Sequence, residues 1–148
     1  MDRLDFLRNQ PLTDGLNEEE LIILSFLLEE KAYDKDSLII EEKEDSYDIY
    51  FIIEGEVSLF KWNALHKTWF LIDILKKGDM FGEMAFLDSS PRSSRAVSNE
   101  YTVLWMLPQG KLDIASIHNK IVKNIGLIGI NRLRITTEKY INDQKKIA

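Results

Sequence analysis

A mainly β domain with flanking helices is the fold class predicted for this 148-residue chain. Three features carry the expectation. Between Leu38 and Leu107, short apolar segments alternate with polar turns and no long helix intervenes, the pattern of an antiparallel roll or barrel. A helical pattern precedes this region, and a longer one follows Pro108. At this length one domain is expected, with an N-terminal helical part over about 1–37, a β-roll of jelly-roll or cupin-like kind over about 38–107, and C-terminal helices over about 109–146.

The elements follow in order. Thr13, Asp14 or Asn17 can cap a helix whose Glu18, Glu19 and Glu20 suit the positive end of its dipole. Leu21, Leu24 and Leu28, with Ile22 and Phe26, supply its apolar face, and Tyr33–Ser37 breaks the pattern. Ile49, Phe51, Ile53, Val57 and Leu59 share one parity, with a tight turn or bulge expected at Glu54-Gly55. Thr68–Leu75 is a strand with Phe70, Ile72 and Ile74 on one face, and Val97–Leu107 closes the series with Tyr101, Val103, Trp105 and Leu107 in parity. Lys111–Ile117 reads as a short helix and His118–Lys146 as a long one. Ile114, Ile117, Ile121, Ile125 and Ile128 form a seam that wants a partner surface, either core or a second chain. Gly126 and Gly129 weaken that helix by about 1 kcal/mol each relative to alanine; close packing, a hinge or simple tolerance would account for them.

Composition excludes several chemistries. Without cysteine there is no disulfide, thiolate metal site or cysteine nucleophile. His66 and His118 stand far apart, which disfavours a histidine-built metal centre. Nineteen basic against 25 acidic residues give a net charge of −6, and no basic stripe gathers to offset it, so nucleic acid is not expected as a partner. No apolar run is long enough to span a bilayer and the N-terminus lacks a signal peptide's pattern. The expectation is no membrane association and a cytoplasmic location.

The stretch Lys77–Val97 has the composition of an anion site. Gly82 permits close backbone approach or positive φ. Met84–Leu87 can form one helical turn with free N–H groups. Arg92, placed just after Pro91, can give a planar two-point contact to a phosphate, and Ser93 and Ser94 add hydroxyls. Glu83 beside a phosphate makes sense only as an acceptor from a neutral hydroxyl such as a sugar's. Phosphate and sugar together point to a nucleotide.

Phe81-Gly82-Glu83-Met84-Ala85-Phe86, followed after a short gap by Pro91-Arg92-Ser93-Ser94, resembles the phosphate-binding cassette of the cyclic nucleotide-binding domain family. The resemblance implies that Glu83 takes the ribose 2′-hydroxyl, that Arg92, Ser93 and backbone N–H groups near Ala85 take the cyclic phosphate, and that Phe81, Gly82, Met84, Ser94 and Ile72 belong to the ligand site. Arg132-Leu133-Arg134-Ile135-Thr136-Thr137-Glu138-Lys139 is similar to the dimer helix of bacterial members, which implies a base contact from Thr136 and a weaker one from Thr137 across a dimer. Tyr50–Val57 resembles the family's central hairpin. Asp36 and Lys43 stand where the family usually has glycine, so those turns are expected to be reshaped. Arg95 replaces a small residue and is expected either to flank the phosphate or to face solvent.

The resulting expectation is a stand-alone regulatory sensor that binds cAMP ahead of cGMP and signals by moving its C-terminal helix. It needs no cofactor and is not an enzyme. Its partners would be the cyclic nucleotide, a second copy through the C-terminal helix, and a downstream protein. Three alternatives stand beside it: a non-binding module kept for protein interaction, the ligand-binding part of a transcription regulator lacking its DNA-binding domain, and a cupin-like enzyme, the last disfavoured by the lack of clustered histidines.

Overall fold

The computed structural model describes residues 1–112 and 115–147, with the side chains at 115, 136, 140 and 143–147 outside that description. Two compact units emerge: a helical unit of Met1–Ser25 with Asp113–Ala148, and a β unit of Phe26–Leu112. Among the described residues no helix is long and apolar enough to cross a membrane.

The β unit holds eight strands: β1 (Glu29–Tyr33), β2 (Leu38–Ile40), β3 (Ile49–Glu54), β4 (Glu56–Asn63), β5 (Thr68–Lys76), β6 (Met80–Phe81), β7 (Arg95–Ser98) and β8 (Thr102–Leu107). They form two antiparallel four-stranded sheets, ordered β1-β8-β3-β6 and β2-β7-β4-β5. The β-branched and aromatic run Ile49–Ile53 favours a pleated, buried surface, and β3 lies centrally between β8 and β6. A core joins Tyr50, Ile52, Phe81, Leu104 and Met106 of one sheet to Ile40, Val57 and Ala96 of the other. Fully burying a Val, Leu, Ile, Phe or Met side chain stabilises by about 1.5–3 kcal/mol.

Two bulges change the expected faces. On β3 the register shifts between Ile52 and Glu54, so Ile53 is an extra residue and parity reverses there. Tyr50 and Ile52 therefore share the inter-sheet cluster with Val57, while Ile49 and Phe51, also fully buried, lie on the other face of β3. On β5, Leu59 pairs with Asp73 and Phe60 with Leu71, which leaves Ile72 as the extra residue. Phe70 and Ile74 consequently fall on opposite faces, because directly paired residues share a face. Gly55, at φ 96°, closes the β3–β4 turn; a Cβ there would lie 2.4 Å from Thr102 Oγ1 and 2.5 Å from the Tyr101 carbonyl.

Other expectations are corrected. Strand β1 lies inside the segment read as helical; its sequence Glu-Glu-Lys-Ala-Tyr is that of a charged sheet edge, exposed through its middle, and charge on an edge strand protects it from wrong pairing. The Val97–Leu107 segment divides into β7 and β8, which belong to different sheets. At the turns of Asp36 and Lys43, both residues hold the left-handed conformation at φ 64° and 69°, at a cost glycine would avoid.

In the helical unit, α1 (Arg3–Arg8), the Pro11–Thr13 turn and α2 (Glu18–Leu27) are joined by α4 (Ala115–Ile147). The last runs unbroken through His118, where two helices were expected. It packs on the Pro11–Thr13 turn, and Asn124 donates from Nδ2 to the carbonyls of Leu12 (2.7 Å) and Asp14 (2.9 Å). Ile117, Ile121 and Ile125 are buried, so that part of the seam is core; Ile114 lies outside the described residues. The start of α2 is a reciprocal capping box, in which Asn17 N–H donates to Glu20 Oε1 at 2.9 Å and Glu20 N–H to Asn17 Oδ1 at 2.8 Å. Lys120 Nζ reaches the same carboxylate at 2.7 Å.

The Asn17 backbone N–H, and then Lys120, hold the Glu20 carboxyl below the usual carboxylate range. Its stabilisation is therefore full above that range and lost as pH falls through the folded value. Glu20→Gln should lower the melting temperature at pH 7, and the gap to wild type should close below about pH 4. Melting curves from pH 3 to pH 7 check this; a gap that is constant with pH contradicts it.

Candidate functional site

The site begins where β6 leaves the sheet. Tyr50 pairs with Phe81 and Phe51 with Met80, and the Tyr50 and Phe81 rings stack at 5.1 Å with an interplanar angle of 10°. Gly82 then turns left-handed at φ 86° and starts α3 (Glu83–Asp88), whose first turn receives no side-chain cap. A Cβ on Gly82 would sit 2.8 Å from Arg92 Nη1 and 2.8 Å from the Asp48 carbonyl oxygen, so both backbone angle and space demand glycine. Buried Ala85 and Phe86 anchor the helix, and Ser89, also left-handed, ends it. At its far end Gln109 Nε2 donates to the Phe86 carbonyl (3.0 Å), while Gln109 N–H donates to Asp48 Oδ1 (3.0 Å).

Arg92 is 4% exposed. Its Nε donates to Ser46 Oγ, Nη1 to the Gly82 carbonyl and Nη2 to the Asp48 carbonyl, each at 2.9 Å. Its backbone is pinned too: Arg92 N–H donates to Glu44 O at 3.0 Å, and Lys43 N–H donates to Arg92 O at 2.8 Å. The Tyr50 ring lies 6.0 Å from the guanidinium carbon. Every acceptor is neutral, and among the described residues no carboxylate forms an ion pair with it. Burial pulls the guanidinium below its ordinary value, opposed by charge at Asp48, Glu44 and Glu83; burial also pushes Tyr50 up to about 12. Of the five guanidinium N–H groups, three are used, and each terminal nitrogen keeps one. Such a planar pair of charged donors matches two phosphate oxygens.

Phe81, Gly82, Glu83, Met84, Ala85 and Arg92 thus gather around the Gly82–Arg92 contact. Phe81 and Ala85 are buried, Glu83 is half-buried and Met84 is exposed. Ser93 is exposed and Ser94 half-buried on the loop beyond, and the Ser93 carbonyl accepts from Lys61 Nζ at 2.9 Å. Ile72 stands exposed at the β5 bulge. Thr137 belongs to the helical unit and spends its hydroxyl on the Leu133 carbonyl at 2.8 Å; the Thr136 side chain lies outside the described residues.

Arg95 does not simply face solvent. It pairs with Phe60 while Ala96 pairs with Leu59; since Ala96 is in the core, Arg95 lies on the opposite face. There it donates to both oxygens of Glu41 at 2.8 and 2.7 Å, with its guanidinium carbon 3.8 Å from the Trp69 ring centroid. The Glu41 hydrogen bond holds Arg95 above its ordinary value, and Arg95 holds Glu41 below the usual carboxylate range.

Sequence reasoning missed Ser46, Asp48 and Gln109. The first two act within an acidic loop that resembles solvated surface, and Asp48 and Gln109 each contribute a backbone group, which side-chain patterns do not reveal.

Fold and site together define a small-molecule-binding β-roll whose centre is a buried cation between neutral acceptors. The family described as "Cyclic nucleotide-binding domain" matches residues 30–115, and the chain belongs to that family. It is 32% identical over 99 residues to human cGMP-dependent protein kinase 2, covering 67% of this chain and 13% of that protein. It is 31% identical over 94 residues to the cAMP-dependent protein kinase regulatory subunit of Pyricularia oryzae, covering 64% and 23%. The chain therefore spans a small part of the curated relatives it matches. Among solved structures it is similar to the Thermus thermophilus catabolite activator protein, with a TM-score of 0.74, 25% identity and coverage of 91% of this chain and 63% of that one. The regulatory domain of Toxoplasma gondii PKA with cAMP gives a TM-score of 0.70 at 26% identity, over 83% and 44%.

Gly82→Ala places a methyl group against Arg92 and the Asp48 carbonyl and strains the backbone, so it should cost about 2 kcal/mol or more of stability. Chemical denaturation checks this; a variant as stable as wild type contradicts the close approach.

Proposed function

We propose that this domain is a non-catalytic sensor of cyclic purine mononucleotides, with cAMP preferred over cGMP. The observation that carries the reading is Arg92, a buried cation preorganised by three neutral acceptors. Such a group is costly to bury unless an anion completes it. A cyclic nucleotide supplies one negative charge on two exocyclic oxygens, and Arg92 offers one N–H on each terminal nitrogen. In this reading the α3 N–H groups and Ser93 complete the phosphate shell, and Glu83, two residues before buried Ala85, takes the ribose hydroxyl. The preference for adenine rests on the likeness of Arg132–Lys139 to the base-contacting helix of bacterial members; relatives named for cGMP and for cAMP both match.

Signalling would come through α4, because a ligand shifts an equilibrium only by its differential affinity for two states. A homodimer is proposed through a face of α4 different from the isoleucine seam. Leu127, Ile130, Leu133 and Ile141 are 46–67% exposed and recur at helical spacing. Gly126 and Gly129 run beside them with nothing within 4 Å of a built Cβ, room for a second helix to approach. Ile130→Lys with Leu133→Lys should convert the dimer to monomer in sedimentation experiments. A wild-type monomer at high concentration rejects the dimer.

Nucleotide at 100 times its dissociation constant should stabilise the domain by about 2.7 kcal/mol; no thermal shift with millimolar cAMP or cGMP rejects the function. Arg92→Ala should lose about 1.5–3 kcal/mol of binding, more than Glu83→Ala, and Arg92→Lys should recover part of it. Calorimetric titration of variants first shown to be folded checks the order. Wild-type affinity in Arg92→Ala would move the site elsewhere.

A further inference from the structure

The strands β4 and β5 form the edge of one sheet, and their distal ends are tied to the loop that carries Arg92 by two separate sets of contacts. The first runs through Lys61. Its Nζ donates to the Ser93 carbonyl at 2.9 Å and to Glu42 Oε1 at 3.1 Å. The other oxygen of Glu42 accepts the Trp62 backbone N–H at 3.0 Å, which ties the Lys61 side chain and the β4 backbone to the same carboxylate.

The second runs through Arg95 on the outer face. Pairing of Phe60 with Arg95 and of Phe60 with Leu71 puts β7, β4 and β5 side by side there. Arg95 donates from Nε and Nη2, one edge of its guanidinium, to the two oxygens of Glu41 and lies 3.8 Å from the centroid of Trp69 on β5. Trp69 in turn meets Trp62 edge-on at 5.3 Å and 64°. A planar guanidinium held by a carboxylate and stacked on an indole is a geometry lysine cannot reproduce.

These contacts bracket one short segment. Lys61 holds the Ser93–Ser94 peptide through its carbonyl, and Arg95 fixes the chain immediately after Ser94. We infer that the β4–β5 hairpin is a strap over the anion loop, and that Lys61 and Arg95 are positioning residues that set nucleotide affinity from outside the ligand site. The inference rests on the nucleotide-binding reading for its consequence, while the strap itself is a property of the protein without ligand. Neither side chain is needed to touch the ligand. Each restricts the Ser93-Ser94 backbone, so less order has to be imposed when the phosphate binds.

The test uses the whole chain in three forms: Lys61→Met, Arg95→Ala, and the exchanged pair Arg95→Glu with Glu41→Arg. Without nucleotide, nitrogen-15 relaxation should show greater backbone motion at Ser93 and Ser94 in both single variants, with the core strands unchanged. The exchanged pair, which restores the ion pair but not the stack on Trp69, should fall between Arg95→Ala and wild type. Affinity for cAMP in calorimetry should fall by about fivefold in each single variant. Unchanged motion at Ser93 and Ser94 in both single variants overturns the strap, whatever the affinity. Greater motion with unaltered affinity overturns the positioning role. If the wild-type protein binds neither cAMP nor cGMP, the functional reading fails, and the relaxation arm still decides the strap.

Discussion

Burying one guanidinium is the constraint around which the cassette is built. Arg92 leaves water, and its polar N–H groups must be answered inside the protein. The answer comes from two carbonyls and a hydroxyl, drawn from positions 46, 48 and 82. Gly82 can offer its carbonyl because it turns left-handed within van der Waals range of the group it serves. Asp48 serves twice, its carbonyl on Arg92 and its carboxylate on the Gln109 N–H. Gln109 then reaches Phe86 at the end of α3, so cation, helix and the end of the roll form one hydrogen-bonded unit. Groups bound in this way reorganise little when an anion arrives, the condition under which electrostatic recognition is strongest.

The roll supports this arrangement through its sheets. The stacked rings of Tyr50 and Phe81 back the start of the cassette and join it to the core. The loop at 43–46 approaches from the other side, with Lys43 held at positive φ so that its N–H meets the Arg92 carbonyl. A left-handed lysine is costly, and the backbone bond it makes is the compensation visible in the structure. The opposite face of the β2-β7-β4-β5 sheet carries the Arg95–Glu41–Trp69 cluster, which separates the two arginines by role: Arg92 is buried on two carbonyls and a hydroxyl, and Arg95 faces outward within an ion pair.

Much of this was legible in the sequence, for reasons that differ by element. The cassette could be read because its chemistry is concentrated: a glycine, an acid, an arginine and small hydroxyls within fourteen positions. The strand run Ile49–Ile53 and the helix start at Asn17–Glu20 follow from propensity and capping. Bulges at Ile53 and Ile72 were illegible, since one extra residue reverses parity without altering composition. Strand β1 was hidden because a protected edge is charged. The role of Arg95 was hidden because its partners, Glu41 and Trp69, lie 54 and 26 positions away in sequence, where no local pattern links them. The isoleucine seam was legible as a surface needing cover, but the sequence left open whether core or a second chain covers it; Ile121 and Ile125 are buried within the chain, so they do not supply the dimer surface expected of them.

The most direct test of the central claim follows the guanidinium itself. In nitrogen-15 NMR, the Arg92 side-chain N–H signals are assigned by their loss in Arg92→Lys and followed while cAMP, and separately adenosine, is added. A cation poised for a cyclic phosphate should show large shifts and slowed N–H exchange with cAMP, and little change with adenosine, which lacks the phosphate. Saturable binding of cAMP that leaves the Arg92 signals unmoved would contradict the account.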